Sequence, residues 1–259
     1  MALVSVEEDG AIGTIVLDHP DKRNALSEAL IGDLEAALGH MNERSMRAVV
    51  LRARPGAKVW SAGHDVDELP TSRRDPLGWS YPLRTLVRRL QEFPAPLIAL
   101  VEGGVWGGAC EVAFACDLIN ATPDATFAIT PARLGVPYNV TGLKSLVAAL
   151  PVAVVKEMIF TARPLGVERL YQLGAINHIV PADRITAFTT DLARSIAANA
   201  SLTIAAMKES LRILADAHSL APTQFERLQD LRRQVGDSHD YREGLKAFSE
   251  KRQPVFRGE

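Results

Sequence analysis

The spacing of apolar residues changes along the chain, from strands mixed with helices to an almost unbroken series of helices. Alternation over Leu3–Val6 and Ile12–Leu17, on either side of Asp9-Gly10, predicts a β-hairpin. Apolar runs bounded by turn residues predict strands at Ala48–Leu51, Leu97–Val101, Leu118–Ala121 and Ala125–Ile129. Helical spacing predicts helices at Asn24–Leu38 and Leu83–Phe93. The first part of the chain is therefore expected to be mixed α/β.

From Thr141 onward the pattern is helical, with a short strand predicted at His178–Val180. The predicted helices are Gly142–Leu150, Ala153–Phe160, Gly166–Gln172, Ile185–Asn199, Leu202–Ala217, Thr223–Val235 and Tyr241–Lys251. A mixed part followed by a helical part indicates an α/β spiral of ββα repeats with a helical C-terminal region. We place the domain boundary at residue 200, with a core over 1–200 and a helical region over 201–259.

A glycine-rich stretch lies between the predicted strand Leu97–Val101 and an apolar helix. Four glycines fall within six residues, from Gly103 to Gly108. Glycine lets a ligand approach the backbone closely, and the first N–H groups of a helix have no partner inside it. Together these features favour binding of an oxygen that carries negative charge. From this stretch alone, a tight turn without chemistry remains the alternative.

A second loop of the same kind follows the strand Ala48–Leu51. It runs from Pro55 to Pro82 and contains Ser61-Ala62-Gly63-His64-Asp65. A loop of this length inside a compact domain is usually functional. Two loops at the ends of neighbouring strands can each direct one backbone N–H at the same point, which predicts an oxyanion-binding site.

Several segments, in this order and spacing, resemble the crotonase superfamily, which includes the enoyl-CoA hydratases and isomerases. The matching segments are Arg23-Asn24-Ala25-Leu26, Ser61–Asp65, Gly107–Glu111 and Asp117-Leu118-Ile119. The resemblance covers nearly the whole chain and implies the crotonase (ClpP-like) ββα spiral with a helical C-terminal trimerisation region. It also implies a homotrimer or a dimer of trimers.

The resemblance assigns the oxyanion donors to the backbone N–H groups of His64 and Gly108. Hydratases of the superfamily use two glutamates, of which Glu111 occupies one position and Ala132 the other. A carboxylate pair can divide acid and base work between two groups, whereas one carboxylate cannot. Efficient hydration is therefore not expected. Glu111 is either a catalytic group or a buried, paired carboxylate.

The absence of the second glutamate is consistent with a substrate that carries its own carboxylate. Further segments are similar to superfamily members that decarboxylate malonyl-type CoA thioesters: Gly63–Pro70, Arg74–Leu77, Val105–Gly108 and Thr130–Asn139. A fixed carboxylate would repel such a substrate, whereas the Tyr138 hydroxyl can orient its carboxylate by hydrogen bonding. The expected reaction is decarboxylation, with methylmalonyl-CoA giving propionyl-CoA. For Tyr138 the alternative is an aromatic ring packed under the turn.

Coenzyme A binding is also implied by the resemblance. The contacts it places along the pantetheine arm and adenine are Ala25, Ala62, Gly63, Asp65, Val66 and Thr130. Lys251 or Lys22 would meet the phosphates, since lysine serves as a point charge. We expect no cofactor. The histidines show no metal-ligand spacing, and Lys208 in Ala206–Glu209 lies within a helical pattern, which argues against a biotin site.

Composition narrows the alternatives. The chain has 259 residues, of which 47% are hydrophobic, a proportion that is typical of a globular protein. Its net charge of −2 gives it no overall electrostatic attraction to nucleic acid or to anionic membranes. Cys110 and Cys116 are expected in the core, and the lack of an apolar leader or membrane span predicts a cytoplasmic protein. The alternatives are a hydratase or isomerase of the same superfamily and a non-catalytic RNA-binding relative. A Ser-His-Asp hydrolase is disfavoured because Ser61 lacks the G-x-S-x-G context.

Overall fold

The strands of the protein form two sheets in a computed structural model that describes residues 2–69, 81–215 and 222–256. Within these residues the strands are β1 Val4–Asp9, β2 Ile12–Leu17, β3 Ala48–Ala53, β4 Val59–Ser61, β5 Leu97–Val101, β6 Gly104–Trp106, β7 Leu118–Ala121, β8 Thr126–Ala128, β9 Leu165–Gly166 and β10 His178–Ile179. The large sheet has the order β1-β2-β3-β5-β7-β10, and the small sheet has the order β4-β6-β8-β9.

Successive repeats give one strand to each sheet. The pairs β3 and β4, β5 and β6, and β7 and β8 each place their first strand in the large sheet and their second in the small one. Neighbours β3, β5 and β7 are parallel, as are β4, β6 and β8. This is the predicted ββα spiral, and it brings the loops after β4 and β6 side by side. The predicted hairpin is also confirmed, because β1 and β2 pair antiparallel.

The described helices surround the two sheets. They are α1 Glu28–Glu43, α2 Pro82–Glu92, α3 Gly108–Phe114, α4 Val140–Ala149, α5 Val152–Thr161, α6 Val167–Gln172, α7 Ile185–Ala197, α8 Ser201–Ala215, α9 Pro222–Gly236 and α10 His239–Ser249. The predicted start of the first helix, at Asn24, was wrong. The helix begins after Ser27, whose side chain accepts a hydrogen bond from the Leu30 N–H as an N-cap.

The short strands β4, β6 and β9 were missed by the sequence prediction. Each is two or three residues long, which is too short for a recognisable period. Strand β6 lies inside the glycine-rich stretch, which was predicted to be only a turn. Part of the loop predicted over Pro55–Pro82 lies outside the described residues, including Pro70 and the segment Arg74–Leu77.

A buried ion pair stabilises the turn between β5 and β6. The Arg52 guanidinium lies 2.8 Å from a Glu102 carboxylate oxygen, and both side chains are largely buried. The other Glu102 oxygen accepts from the Gly56 N–H at 3.1 Å. Because each oxygen has a donor, the buried charge is compensated at the point where the glycine-rich stretch begins.

The C-terminal helices differ in how they pack. No residue of α8 is buried within the described chain, and Leu202, Leu211 and Leu214 are exposed. Helix α10, in contrast, returns to the core, where a Cβ on Gly244 would lie 1.9 Å from the Leu134 carbonyl oxygen. The boundary at residue 200 remains a prediction. Among the described helices, none has both the length and the apolar character of a membrane span.

Candidate active site

Two connected cavities lie where the loops after β4 and β6 meet. The larger is an open groove of about 1020 Å³ that extends towards α5 and the C-terminal residues. The smaller is a pocket of about 80 Å³ between the glycine-rich turn and the residues that precede α4. The residues that line both are Ala62, His64, Val66, Thr130 and Leu134. A long ligand in the groove can therefore place one end in the small pocket.

The two predicted donor amides come together at the junction of these cavities. The His64 backbone nitrogen lies 3.7 Å from the position that a Cβ on Gly108 would occupy. Gly108 is the first residue of α3, and Gly107 before it has φ 54°. Among the described residues, no backbone carbonyl accepts from either N–H outside regular elements. Both groups are thus free to bind a ligand oxygen, at the positive end of the α3 dipole.

Close backbone packing at Gly63 holds the two loops together. Gly63 has φ 83°, and a Cβ there would lie 2.3 Å from the Trp106 carbonyl oxygen and 3.0 Å from the Gly108 nitrogen. The Gly63 carbonyl accepts from the Leu26 N–H at 2.7 Å. Only glycine permits both the torsion and the approach, which places the His64 peptide beside Gly108.

The His64 side chain contacts Tyr81, a residue that was not predicted for the site. The Tyr81 hydroxyl lies 2.8 Å from His64 Nε2 and also contacts Nδ1. The rings pack edge to face at 5.0 Å. Burial lowers the pKa of His64, so its imidazole is neutral near pH 7. Burial, followed by the charges of Glu68, Glu111 and Asp65, raises the pKa of Tyr81, which keeps the phenol protonated.

Glu111 and Tyr138 also line the small pocket. Glu111 is buried, and a Cβ on Gly142 would lie 2.6 Å from its carboxylate. The Tyr138 hydroxyl donates to the Gly107 carbonyl at 3.3 Å. Burial and the neighbouring Glu111 charge raise the pKa of Tyr138 well above its usual value. Tyr138 is therefore a neutral hydrogen-bond donor beside a buried carboxyl group.

Opposite charges meet at the mouth of the groove. Lys22 Nζ lies 2.8 Å from Asp65 Oδ2 and 3.2 Å from Asp67 Oδ2. Burial alone would raise the pKa of Asp65, but the Lys22 ammonium and the Asp67 N–H together lower it. The hydrogen bond to Asp65 likewise raises the pKa of Lys22. Lys22 thus lines the groove as a charge already held in position.

The structure brings most of the predicted residues to the two cavities. Those that line one or both are Ala25, Ala62, His64, Asp65, Val66, Gly108, Glu111, Thr130, Ala132 and Tyr138. Gly63 lines neither cavity and instead packs against the backbone of Trp106 and Gly108. Lys251 lines neither cavity within the described chain; it follows α10 with φ 53° and is exposed. Its neighbour Arg252 lines the groove instead.

Several lining residues were not found by sequence reasoning. Aromatic side chains from three segments line the groove: Phe160, Phe248 and Phe256. Phe248 and Phe256 lie in α10 and in the residues after it, so their contacts with the groove depend on the return of α10, whereas Phe160 belongs to α5. Tyr81 gave a weak signal, because it directly precedes Pro82, the first residue of α2. The described residues contain no group of three side chains arranged to hold a metal ion.

Fold and site together define an acyl-thioester enzyme of the crotonase type, and comparison with known proteins agrees. A model of the enoyl-CoA hydratase/isomerase family matches residues 7–259. The chain belongs to the enoyl-CoA hydratase/isomerase family. This confirms the family expected from the sequence.

Within this family, the chain is similar to several individual proteins. The chain is 46% identical over 255 residues to methylmalonyl-CoA decarboxylase of Escherichia coli K12, covering 98% of each chain. A solved structure of methylmalonyl-CoA decarboxylase in complex with 2-nitronate-propionyl-CoA superposes with a TM-score of 0.97, at 45% identity and 99% coverage of both chains. Another, complexed with 2S-carboxypropyl CoA, also has a TM-score of 0.97 and 45% identity, and covers 99% of this chain and 98% of that one.

Proposed function

We propose that the protein decarboxylates methylmalonyl-CoA to propionyl-CoA and CO₂. The observation that carries this proposal is that the His64 nitrogen lies close to Gly108 at a small pocket whose described lining contains Glu111 and no second glutamate. Ala132 stands where a hydratase of this family has its other carboxylate. The similarity to methylmalonyl-CoA decarboxylase supports the choice of substrate.

The site's residues account for each step of the reaction. The thioester oxygen accepts hydrogen bonds from the two backbone amides, while CoA extends through the groove. Tyr138 orients the substrate carboxylate without the charge of an arginine or lysine, which would hold it in place. The Cα–carboxylate bond then breaks, CO₂ leaves, and the electron pair enters the thioester as an enolate stabilised by the amides. A proton from solvent at Cα completes propionyl-CoA.

Parallel assays with two substrates test this function against hydration. Purified protein is incubated with methylmalonyl-CoA or with crotonyl-CoA, and products are identified by mass. We expect loss of CO₂ from methylmalonyl-CoA and little addition of water to crotonyl-CoA, because Ala132 stands where a hydratase of this family has its second glutamate. Fast hydration of crotonyl-CoA without any release of CO₂ would replace decarboxylation by the hydratase function.

The remaining expectations concern assembly and requirements. The exposed apolar face of α8, with Leu202, Leu211 and Leu214, supports a homotrimer or a dimer of trimers. Native mass spectrometry tests the assembly, and a monomer would contradict it.

The thioester carbonyl takes up the electron pair, so the proposed reaction needs neither a metal ion nor biotin. A cytoplasmic location suits a CoA substrate. Lys208, the lysine considered from the sequence as a biotin site, has its Nζ 2.7 Å from Asp117 Oδ2, which is a structural contact.

A further inference from the structure

Tyr81 lines the small pocket, and its side chain contacts the ring of His64, whose backbone N–H is a proposed oxyanion donor. Its hydroxyl meets the His64 ring at 2.8 Å from Nε2, and the two rings pack edge to face. Both side chains line the pocket together with Glu111 and Tyr138. The function proposed above assigns the His64 backbone a role but leaves its imidazole and Tyr81 without one.

The hydrogen-bonding capacity of the two groups determines what the contact does. A neutral imidazole has one N–H donor and one nitrogen that accepts, whereas imidazolium has two donors and no acceptor. The Tyr81 hydroxyl contacts both ring nitrogens, so its O–H can donate to the nitrogen that carries no proton. A hydrogen bond donated to the neutral form disfavours protonation of the ring.

A neutral ring at this position matters because of the substrate's carboxylate. An imidazolium in the small pocket would pair with the carboxylate and stabilise it before the C–C bond breaks, which opposes conversion to neutral CO₂. We propose that Tyr81 is a positioning residue that holds the His64 imidazole in place as a neutral hydrogen-bond acceptor, so that the substrate carboxylate is not trapped by a positive charge. This role rests on the proposed decarboxylation.

The negative charges around His64 favour imidazolium and so act against burial, which is the largest influence on the ring and favours its neutral form. Asp65 lies on its own segment and would stabilise imidazolium, although the Lys22 ammonium partly neutralises it. Glu68, from the turn that follows Asp65, and Glu111, from α3, act on Tyr81. Tyr138, from the segment before α4, lines the same pocket as a neutral group. Burial and the Tyr81 hydroxyl oppose these negative charges.

The test replaces Tyr81 with Phe, which keeps the edge-to-face packing and removes only the hydroxyl. The His64 ring nitrogens are followed by ¹⁵N NMR from about pH 5 to about pH 9, an interval that includes the pH at which histidine ordinarily titrates. We expect the variant's His64 to titrate about one pH unit higher than in the wild type, which corresponds to about a tenfold change in the protonation equilibrium. Tyr171→Phe, an exposed tyrosine on α6, is the matched control and should leave the titration unchanged.

Steady-state kinetics with methylmalonyl-CoA provide the second readout. In Tyr81→Phe we expect kcat and KM to fall together at about pH 6, and kcat to recover towards the wild-type value near pH 8, where the ring is neutral again. An unchanged or lower His64 titration in the variant overturns the proposal. If the wild type releases no CO₂, the proposed function fails, but the NMR titration still decides whether Tyr81 keeps the ring neutral.

Discussion

In the proposed function, the small pocket and the open groove bind two parts of one ligand by different means. The pocket uses the backbone amides of His64 and Gly108, which are placed by close packing at Gly63. The groove uses exposed side chains such as Lys22 and Arg252, each already engaged by carboxylates. Buried, preorganised donors act strongly, whereas exposed charges are screened. Substitutions in the pocket should therefore change the chemistry, and substitutions in the groove should change only affinity or local stability.

The largest effect is expected from Gly108→Pro. Proline is well tolerated as the first residue of a helix, so α3 should form, but the variant has no N–H at this position. Loss of one oxyanion donor costs about 2.7–4 kcal/mol, or roughly a hundred- to a thousandfold in kcat. The measurement is kcat for methylmalonyl-CoA, with circular dichroism to verify folding.

Gly108→Ala is the matched control, because it retains the N–H. Its Cβ would lie 2.7 Å from Leu83 Cδ2, the flexible end of a side chain that can shift. Its loss of kcat should be much smaller than that of the proline variant. Equal losses in the two variants would mean that space at Gly108, and not its N–H, governs turnover.

A smaller but still chemical effect is expected from Tyr138→Phe. The variant keeps the ring and removes the donor that we assign to the substrate carboxylate. A hydrogen bond to a charged group contributes about 1.5–3 kcal/mol, so kcat/KM should fall about ten- to a hundredfold. The activity assay measures this directly. An activity equal to that of the wild type would leave Tyr138 with only the packing role that the sequence allowed.

In the groove, Lys22→Met should raise KM without lowering kcat. Exposed ion pairs contribute little, so we expect an increase of about two- to fivefold in KM for methylmalonyl-CoA. Lys246→Met is the control, since Lys246 forms an exposed pair with Glu250 and does not line the groove. A fall in kcat as large as that of Tyr138→Phe would contradict the division between pocket and groove.

The same variant changes the titration of Asp65. The Lys22 ammonium helps to hold the pKa of Asp65 below its usual value, so Asp65 stabilises the fold above that value and loses this contribution as the pH falls. Without Lys22 the pKa of Asp65 should rise, and the loss should begin at higher pH. Thermal unfolding followed from pH 7 to about pH 3 measures the difference.

The smallest effect on activity is expected from Glu243→Gln at the rim of the groove. The Arg252 guanidinium, with the Val255 N–H, lowers the pKa of Glu243 from 4.5 to about 2. This carboxylate therefore contributes to stability above pH 4.5 and loses that contribution as the pH falls towards about 2. We expect kcat at pH 7 to be nearly unchanged. The Tm difference between variant and wild type should vanish in strong acid, and a constant difference would show that another contact is responsible.

Much of the site could be predicted because its key parts are short and local. The glycines at 63 and 108, and the His64 and Glu111 beside them, follow strands with clear apolar patterns, so the donor loops could be located before any coordinates. Tyr81 could not be found in this way. Its hydroxyl meets His64 only because α2 packs against the loop after β4, a contact between segments seventeen residues apart.

Sequence reasoning was also limited for the groove, which is lined by residues that lie far apart along the chain. Lys22 or Lys251 was predicted to meet the phosphates, and the structure places Lys22 and Arg252 along the groove, whereas Lys251 lines neither cavity. A shift of one residue at the end of a helix changes which side chain lines the groove, and the pattern of α10 does not determine that rotation. The small strands β4, β6 and β9 were also missed, because their pairing depends on the neighbouring repeats.

The amino-acid order by itself determined the family, the two places where backbone amides could bind an oxyanion, and the succession of strands and helices apart from the short strands β4, β6 and β9. These features depend on local periodicity and on glycine, whose effects act within a few residues. Only the tertiary structure showed that these two amides lie close together, that Tyr81 contacts His64, and that α10 contributes to the groove. Such contacts arise from packing between distant segments, and their distances depend on the whole core and not on any one stretch of sequence.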